Sequence, residues 1–306
     1  MLKHRRNELL LILSALMFAS NGVSSKLLLS GHISAWRLAQ VRAIGATTIL
    51  AIYLCVKARH KLRLTKAEVP RLAAMGALGI AAVNGTYFLA ISRMHVSIAL
   101  LIEFTAPVWI VLYLRFIKRK FVPNQMWIAL VLALTGLAFV AQVWQGLTLD
   151  GIGVIAAFAS AFAVAFYFVI GEGISHSRDG VSLTMWGFFF AAVTWCLIFP
   201  IWSFPTDVFS VSIPLGGPFD STNVPGWVLI LYVICIGTIG PYLCTIAALK
   251  NLSASTTSAF GMLEPIFVGG IAWFWFSESW TLIQLIGGVI VIAGIYMADQ
   301  AREKAI

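Results

Sequence analysis

Hydrophobic and polar residues do not alternate along this chain; they segregate into blocks. Ten apolar runs lie near 8–29, 33–56, 70–91, 97–116, 124–143, 150–172, 182–203, 226–249, 255–276 and 282–299. At 1.5 Å rise per residue, about 20 apolar residues in a helix cross the hydrocarbon layer of a bilayer. The pattern predicts an all-α integral membrane protein with ten transmembrane helices. Several gaps between the runs are so short that neighbouring helices must be antiparallel. The stretch 204–225 is different. Pro205, Pro214, Gly216, Gly217, Pro218 and Pro225 make it an extended connector rather than a span.

The charges test that count. If the N-terminus is cytoplasmic, the same side collects Lys3, Arg5 and Arg6, then Lys57, Arg59, Lys61, Arg63, Lys66 and Arg71. It also collects Arg115, Lys118, Arg119 and Lys120, then Arg178, Lys250, Arg302 and Lys304. The opposite side keeps Arg93, with Lys26 and Arg37 near helix ends, while 204–225 carries Asp207 and Asp220 and no basic residue. Because cytoplasmic loops hold the excess of Lys and Arg, the expected topology is ten spans with both termini cytoplasmic in an inner or plasma membrane. Nine or eleven spans would spoil the alternation. The first run is too long for a signal-peptide core and no A-x-A site follows it, so it is read as a retained helix.

Composition agrees with lipid as the solvent. Of 306 residues, 60% are hydrophobic and 11% charged, against roughly 25% charged in soluble domains. The net charge of +9 lies between apolar runs rather than on one face, so it orients the chain and does not indicate a nucleic-acid partner. Cys55, Cys196, Cys235 and Cys244 sit inside apolar runs without CxxC spacing, which points to neither a disulfide nor a metal site.

Laid on itself, the chain repeats. Ala90 through Pro107 and Gly136 match Ala248 through Pro265 and Gly294 without a gap, at the offset 248 − 90 = 158, and Gly79 falls on Gly237. At smaller offsets Ser14-Ala15 falls on Ser160-Ala161, and Ser34 on Ser182. The repeat unit is five spans, 8–143 and 150–299. Five is odd, so the second copy enters the membrane from the other side. Two inverted five-helix repeats place a substrate site near the midplane, between the halves.

Polar residues gather at that level. Asn21, Arg42, Asn84 and Glu103 lie within about 10 Å of the bilayer centre when counted at 1.5 Å per residue, and Glu264 and the Pro241-Tyr242 pair lie nearby in the second half. A charge at that depth costs about 2.5–3.5 kcal/mol. Arg42 and Glu103 therefore either pair with each other or hold a zwitterionic ligand between them. Pro107 and Pro265 are repeat equivalents that free the carbonyls of Glu103 and Gly261, and with Pro241 they are candidate bends along a pathway. Tyr87, Tyr167, Trp186, Trp195 and the segment Trp273-Phe274-Trp275-Phe276 are candidates for an aromatic lining. His95 beside Arg93 is read as solvated. Gly287, Gly288 and Gly294 would permit close helix packing or a homodimer.

These residues together resemble the EamA branch of the drug/metabolite transporter superfamily, over nearly the whole chain. Arg42 stands where that family often has an arginine in its second helix. Asn84 followed by Glu103-Phe104-Thr105-Ala106-Pro107 is similar to the Glu-Phe-Thr-Gly-Pro segment of threonine/homoserine-exporter-like members. Pro241-Tyr242, Met262-Leu263-Glu264-Pro265, Ser277-Glu278, Gln284 and Gly288 resemble the closing pattern of the second copy. Arg119-Lys120 and Ala106 depart from the family pattern. The resemblance implies a secondary transporter, working outward on small organic metabolites such as amino acids. Asn21, Arg42, Asn84, Tyr87, Glu103, Tyr242 and Glu264 would then be the substrate-binding candidates. A broad exporter of drugs and aromatic compounds is the alternative. No GxxxxGK[ST] loop occurs, so protons, exchange or passive flux would drive movement, and no cofactor or metal is expected. Without HExxH, GxSxG or paired histidines, an enzyme is not expected either.

Overall fold

The computed structural model describes residues 2–30, 33–145, 150–219, 221–276 and 281–303. Asp220, Ser277-Glu278 and Lys304, used in the sequence reading, lie outside them. Among the described residues ten helices are long and apolar enough to cross a bilayer. They are α1 Arg6–Leu29, α2 Ala35–Lys57, α3 Val69–Ile91, α4 Val96–Ile117, α5 Asn124–Ala141, α6 Gly151–Ser175, α7 Gly180–Ile198, α8 Gly226–Leu249, α9 Ala254–Trp275 and α10 Leu282–Ala301. Helices satisfy their own backbone groups, which lipid cannot do. Their outward faces stay apolar: Leu285, Val289, Ile292 and Tyr296 on α10 are exposed. Lipid, rather than water, accounts for such a face.

Local chemistry sets the ends. Ser34, Asp150, Asp179 and Ser253 accept backbone N–H groups at the starts of α2, α6, α7 and α9. Helix α7 stops at Ile198, short of the expected 203, because Pro200 forces Phe199 into extended backbone. The connector that follows is not wholly irregular. Strands β1 Ser212–Pro214 and β2 Asn223–Pro225 pair antiparallel with Ile213 opposite Val224, and Ile213 is buried.

The two halves pack as exchangeable units. Helix α3 lies on α6 as α8 lies on α1, α4 on α6 as α9 on α1, and α2 pairs with α7 and α5 with α10. The same irregularities recur in both. α3 opens into a wide π turn at Met75–Ala81, and α8 does so at Cys235–Ile239. α4 breaks between Glu103 and Ala106, and α9 breaks between Gly261 and Glu264. With five spans per half, this is an inverted pair. Gly136 and Gly294 are repeat equivalents and do the same work: each lets α5 and α10 approach backbone to backbone. Gly287 joins that contact, whereas Gly288 has nothing within 4 Å.

Polar ties cross between the halves at both faces. Arg37 on α2 donates to the Pro200 and Ser203 carbonyls beyond α7 at 3.1 and 2.9 Å. On the opposite face Arg178 donates to Glu68 at 2.7 Å and to the Lys61 and Arg63 carbonyls at 2.9 Å. Burial works against ionisation of Asp179, yet the Lys61 ammonium at 2.8 Å and the Ser182 backbone N–H hold its carboxyl below the usual range. The Thr65 backbone N–H and hydroxyl, and then Arg178, hold the Glu68 carboxyl down to about 2 from 4.5. A carboxyl depressed in the folded state stabilises fully above its unfolded value. That contribution is lost as pH falls from about 4.5 through about 2. Thermal unfolding followed across this window should show a loss of stability that Glu68→Gln removes; an identical acid slope in the variant would contradict the tie.

Candidate functional site

Between the halves lies a cavity of about 230 Å³, lined by α1, α2, α3 and α4 and by α6, α8 and α9. It brings together Asn21, Arg42, Asn84, Tyr87, Glu103, Tyr242 and Glu264, with Pro107 beside them. Pro241 and Pro265 do not line it. Both sit in the first turn of a helical segment, where a missing N–H is tolerated, and Pro241 is buried. The carbonyl of Pro241 accepts the Ser14 hydroxyl at 2.9 Å.

Arg42 is built into the inter-half seam. Its Nε donates to Thr238 Oγ1 at 2.9 Å and its Nη2 reaches the Gly237 carbonyl at 3.4 Å. Both acceptors belong to the wide turn of α8, which leaves backbone carbonyls outside the regular ladder. Thr238 is fully buried and passes its own proton to the Val233 carbonyl at 2.8 Å. Asn21 packs on the same turn, so closely that a Cβ at Gly237 would collide with it.

Glu103 ends the first segment of α4, and its Oε2 accepts the Ser160 hydroxyl of α6. Arg42 and Glu103 therefore do not pair, contrary to one of the two sequence expectations. Each meets a neutral partner on a helix of the other half that lies closer than the opposite charge. Asn84 donates to the Ile80 carbonyl of its own helix at 2.8 Å. Tyr242 is set by ring contacts with Phe18, Tyr167 and Phe188, at centroid distances of 5.5, 5.6 and 4.8 Å.

The aromatic lining differs from expectation. Phe18, Phe104, Tyr167 and Phe168 line the cavity with Tyr87 and Tyr242. Trp186 and Trp195 do not: Trp195 packs against Trp36 at 5.9 Å. Trp273 and Phe274 are exposed, and Trp275 Nε1 ties α9 to the Leu215 carbonyl of the connector at 2.8 Å. His95 precedes α4 on the exposed surface, away from the cavity.

Sequence reasoning passed over the hydroxyls. The Ser160 hydroxyl, whose proton is shared with Glu103, also lies 3.3 Å from the Val83 carbonyl, the place where Ser14 donates to that of Pro241, and 83 + 158 = 241. The Ser14/Ser160 self-match was the signal for this repeated bond. Tyr167 Oη and Thr257 Oγ1 are buried without a hydrogen-bond partner, and both residues line the cavity. Among the described residues no cluster of His, Cys, Asp or Glu suits a metal ion.

Comparison with known proteins gives a consistent set of relatives. The profile of the EamA-like transporter family matches residues 5–142 and again 151–298. An uncharacterized transporter of Clostridium kluyveri is 22% identical over 98% of this chain and 95% of its own. The uncharacterized transporter YdfC of Bacillus subtilis is 22% identical over 74% of this chain and 70% of its own. One of Archaeoglobus fulgidus is 23% identical over 72% and 75%. A crystal structure with 15% identity superimposes with a TM-score of 0.77 over 97% of this chain and 98% of its own, so the fold is shared. Ten apolar helices, a cavity between the halves that holds charged side chains and two matches to one transporter family converge: this chain is a multi-pass membrane transporter, not an enzyme, and belongs to the EamA-like transporter family.

Proposed function

We propose that the chain carries small organic metabolites, amino acids foremost, outward across the cell membrane by alternating access around the inter-repeat cavity. The observation that carries this reading is the cavity itself, which draws Arg42 and Glu103 from the first half and Tyr242 and Glu264 from the second. Groups of both signs suit a zwitterion: a guanidinium attracts a carboxylate, and a carboxylate attracts an ammonium. Asn21, Asn84 and Tyr87 add hydrogen-bonding capacity. The Lys/Arg distribution supports cytoplasmic termini. Proton coupling, exchange of a second solute or passive flux supplies the drive.

The aromatic rings of the lining favour a second reading, export of a broad range of aromatic or drug-like compounds. Neither needs a second copy of the chain, since both halves of the cavity belong to one. A homodimer would form on the outward face of α10 at Gly288, because Gly287 and Gly294 are occupied by α5. Counterflow into proteoliposomes with a panel of amino acids and aromatic compounds tests the proposal. Accumulation of labelled amino acids in preloaded vesicles is expected. Failure of every amino acid, with loose competition among dissimilar aromatic compounds, would select the second reading.

A further inference from the structure

Of the charged groups in the cavity, only some are matched by the protein. Glu103 has the Ser160 hydroxyl, and Arg42 commits two of its N–H groups to Thr238 and Gly237. Among the described residues no donor reaches the Glu264 carboxylate within hydrogen-bonding distance. It forms no ion pair with Arg42. The repeat register makes it more unusual: 264 − 158 = 106, so Glu264 stands where the first half has Ala106. The acid is present in one half alone.

A carboxylate withdrawn from bulk water and left without a donor is strongly disfavoured as the bare anion, and it is relieved by taking up a proton or by pairing with a cation. The surrounding cavity suits an organic cation. The Tyr167 and Thr257 hydroxyls are buried and unpartnered, and their oxygens can accept from an ammonium. The Tyr167, Tyr242 and Phe104 rings in the same lining offer faces that attract positive charge and cover the apolar remainder of a solute. A carboxylate on the solute finds less provision, because among the described lining residues Arg42 alone is cationic and two of its five N–H groups are already given to α8.

We infer that Glu264 is the docking point for the protonated amine of the transported solute, with Tyr167 and Thr257 as further acceptors, and that a carboxylate on the solute is dispensable. This rests on the transport reading above and narrows it to amine-bearing compounds, including amines that lack an acid group.

Phenethylamine, phenylalanine and 3-phenylpropionate share a ring and differ in their charged groups. Binding of each to the purified full-length protein is measured by thermal shift and tryptophan fluorescence, with counterflow in proteoliposomes alongside. Phenethylamine is expected to bind and to be carried, phenylalanine to compete with it, and 3-phenylpropionate to do neither. Glu264→Gln, verified as monodisperse, should weaken phenethylamine binding about tenfold or more. Glu264→Asp keeps the charge and should retain part of the affinity, which keeps the test open where the glutamine variant fails to fold. Binding of 3-phenylpropionate as tight as that of the amine, or wild-type amine affinity in folded Glu264→Gln, overturns the inference. Amine binding without flux of any probe would retire the transport reading and leave the amine site standing. Flux of other solutes with no binding of phenethylamine would do the reverse.

Discussion

Gly136→Leu should destabilise the protein by about 3 kcal/mol. A Cβ at Gly136 would lie 2.7 Å from both the Gly287 carbonyl oxygen and the Val291 nitrogen, and 3.0 Å from the Ile290 Cβ. The first two are backbone atoms of α10 and cannot step aside without moving the helix. Helices in lipid are held by close van der Waals contact rather than by exclusion of water, so a lost contact is not replaced by burial elsewhere. The symmetric position answers in kind: a Cβ at Gly294 would meet the Ala133 nitrogen at 2.7 Å and the Ala129 carbonyl at 2.9 Å. Gly288→Leu provides the contrast, since nothing stands within 4 Å of it. Thermal unfolding in detergent should place Gly136→Leu and Gly294→Leu far below wild type and Gly288→Leu beside it. Equal midpoints for Gly136→Leu and Gly288→Leu would contradict the packing.

The second large effect is expected at Arg42. Arg42→Ala removes the donor to Thr238 Oγ1 and to the Gly237 carbonyl, both in the wide turn of α8. Leaving a buried acceptor unsatisfied costs about 1–3 kcal/mol, and the seam between α2 and α8 loses its polar tie. Arg42→Lys should not restore it, because one ammonium cannot reproduce the fork that serves two acceptors. The unfolding midpoint should therefore fall in both variants. Wild-type stability in Arg42→Lys would show that charge at this depth, and not the guanidinium geometry, is what the seam needs.

Much of this architecture is readable in the residues because lipid imposes a simple rule. A span must be apolar, helical and about 20 residues long, so block hydropathy finds α1 to α10, and Lys/Arg bias pairs their ends. The self-match of Ala90–Gly136 with Ala248–Gly294 finds the repeat for the same reason: equivalent helices must present equivalent small residues to equivalent neighbours. What hydropathy cannot see is where a helix widens or breaks. The turns at Met75–Ala81 and Cys235–Ile239 are as apolar as regular helix, and the glycines Gly76, Gly79 and Gly237 are what mark them. The partners of Arg42 and Glu103 were hidden for a related reason. Two opposite charges at one depth invite pairing, yet hydroxyls on Thr238 and Ser160, carried by helices far away in sequence, reach them first. In the connector, the prolines that signal irregular backbone conceal the short pair Ser212–Pro214 and Asn223–Pro225, which buries only Ile213 and offers too little alternation to detect.

Passage of solute through the cavity shared by the two repeats is tested most directly by counterflow of a labelled amino acid into proteoliposomes containing wild-type protein or Glu103→Gln, with insertion and monodispersity matched. The geometry predicts robust accumulation for wild type and a fall of about tenfold or more in the variant, since one atom change removes the charge that Ser160 holds in place. Wild-type substrate dependence in correctly inserted Glu103→Gln would contradict it.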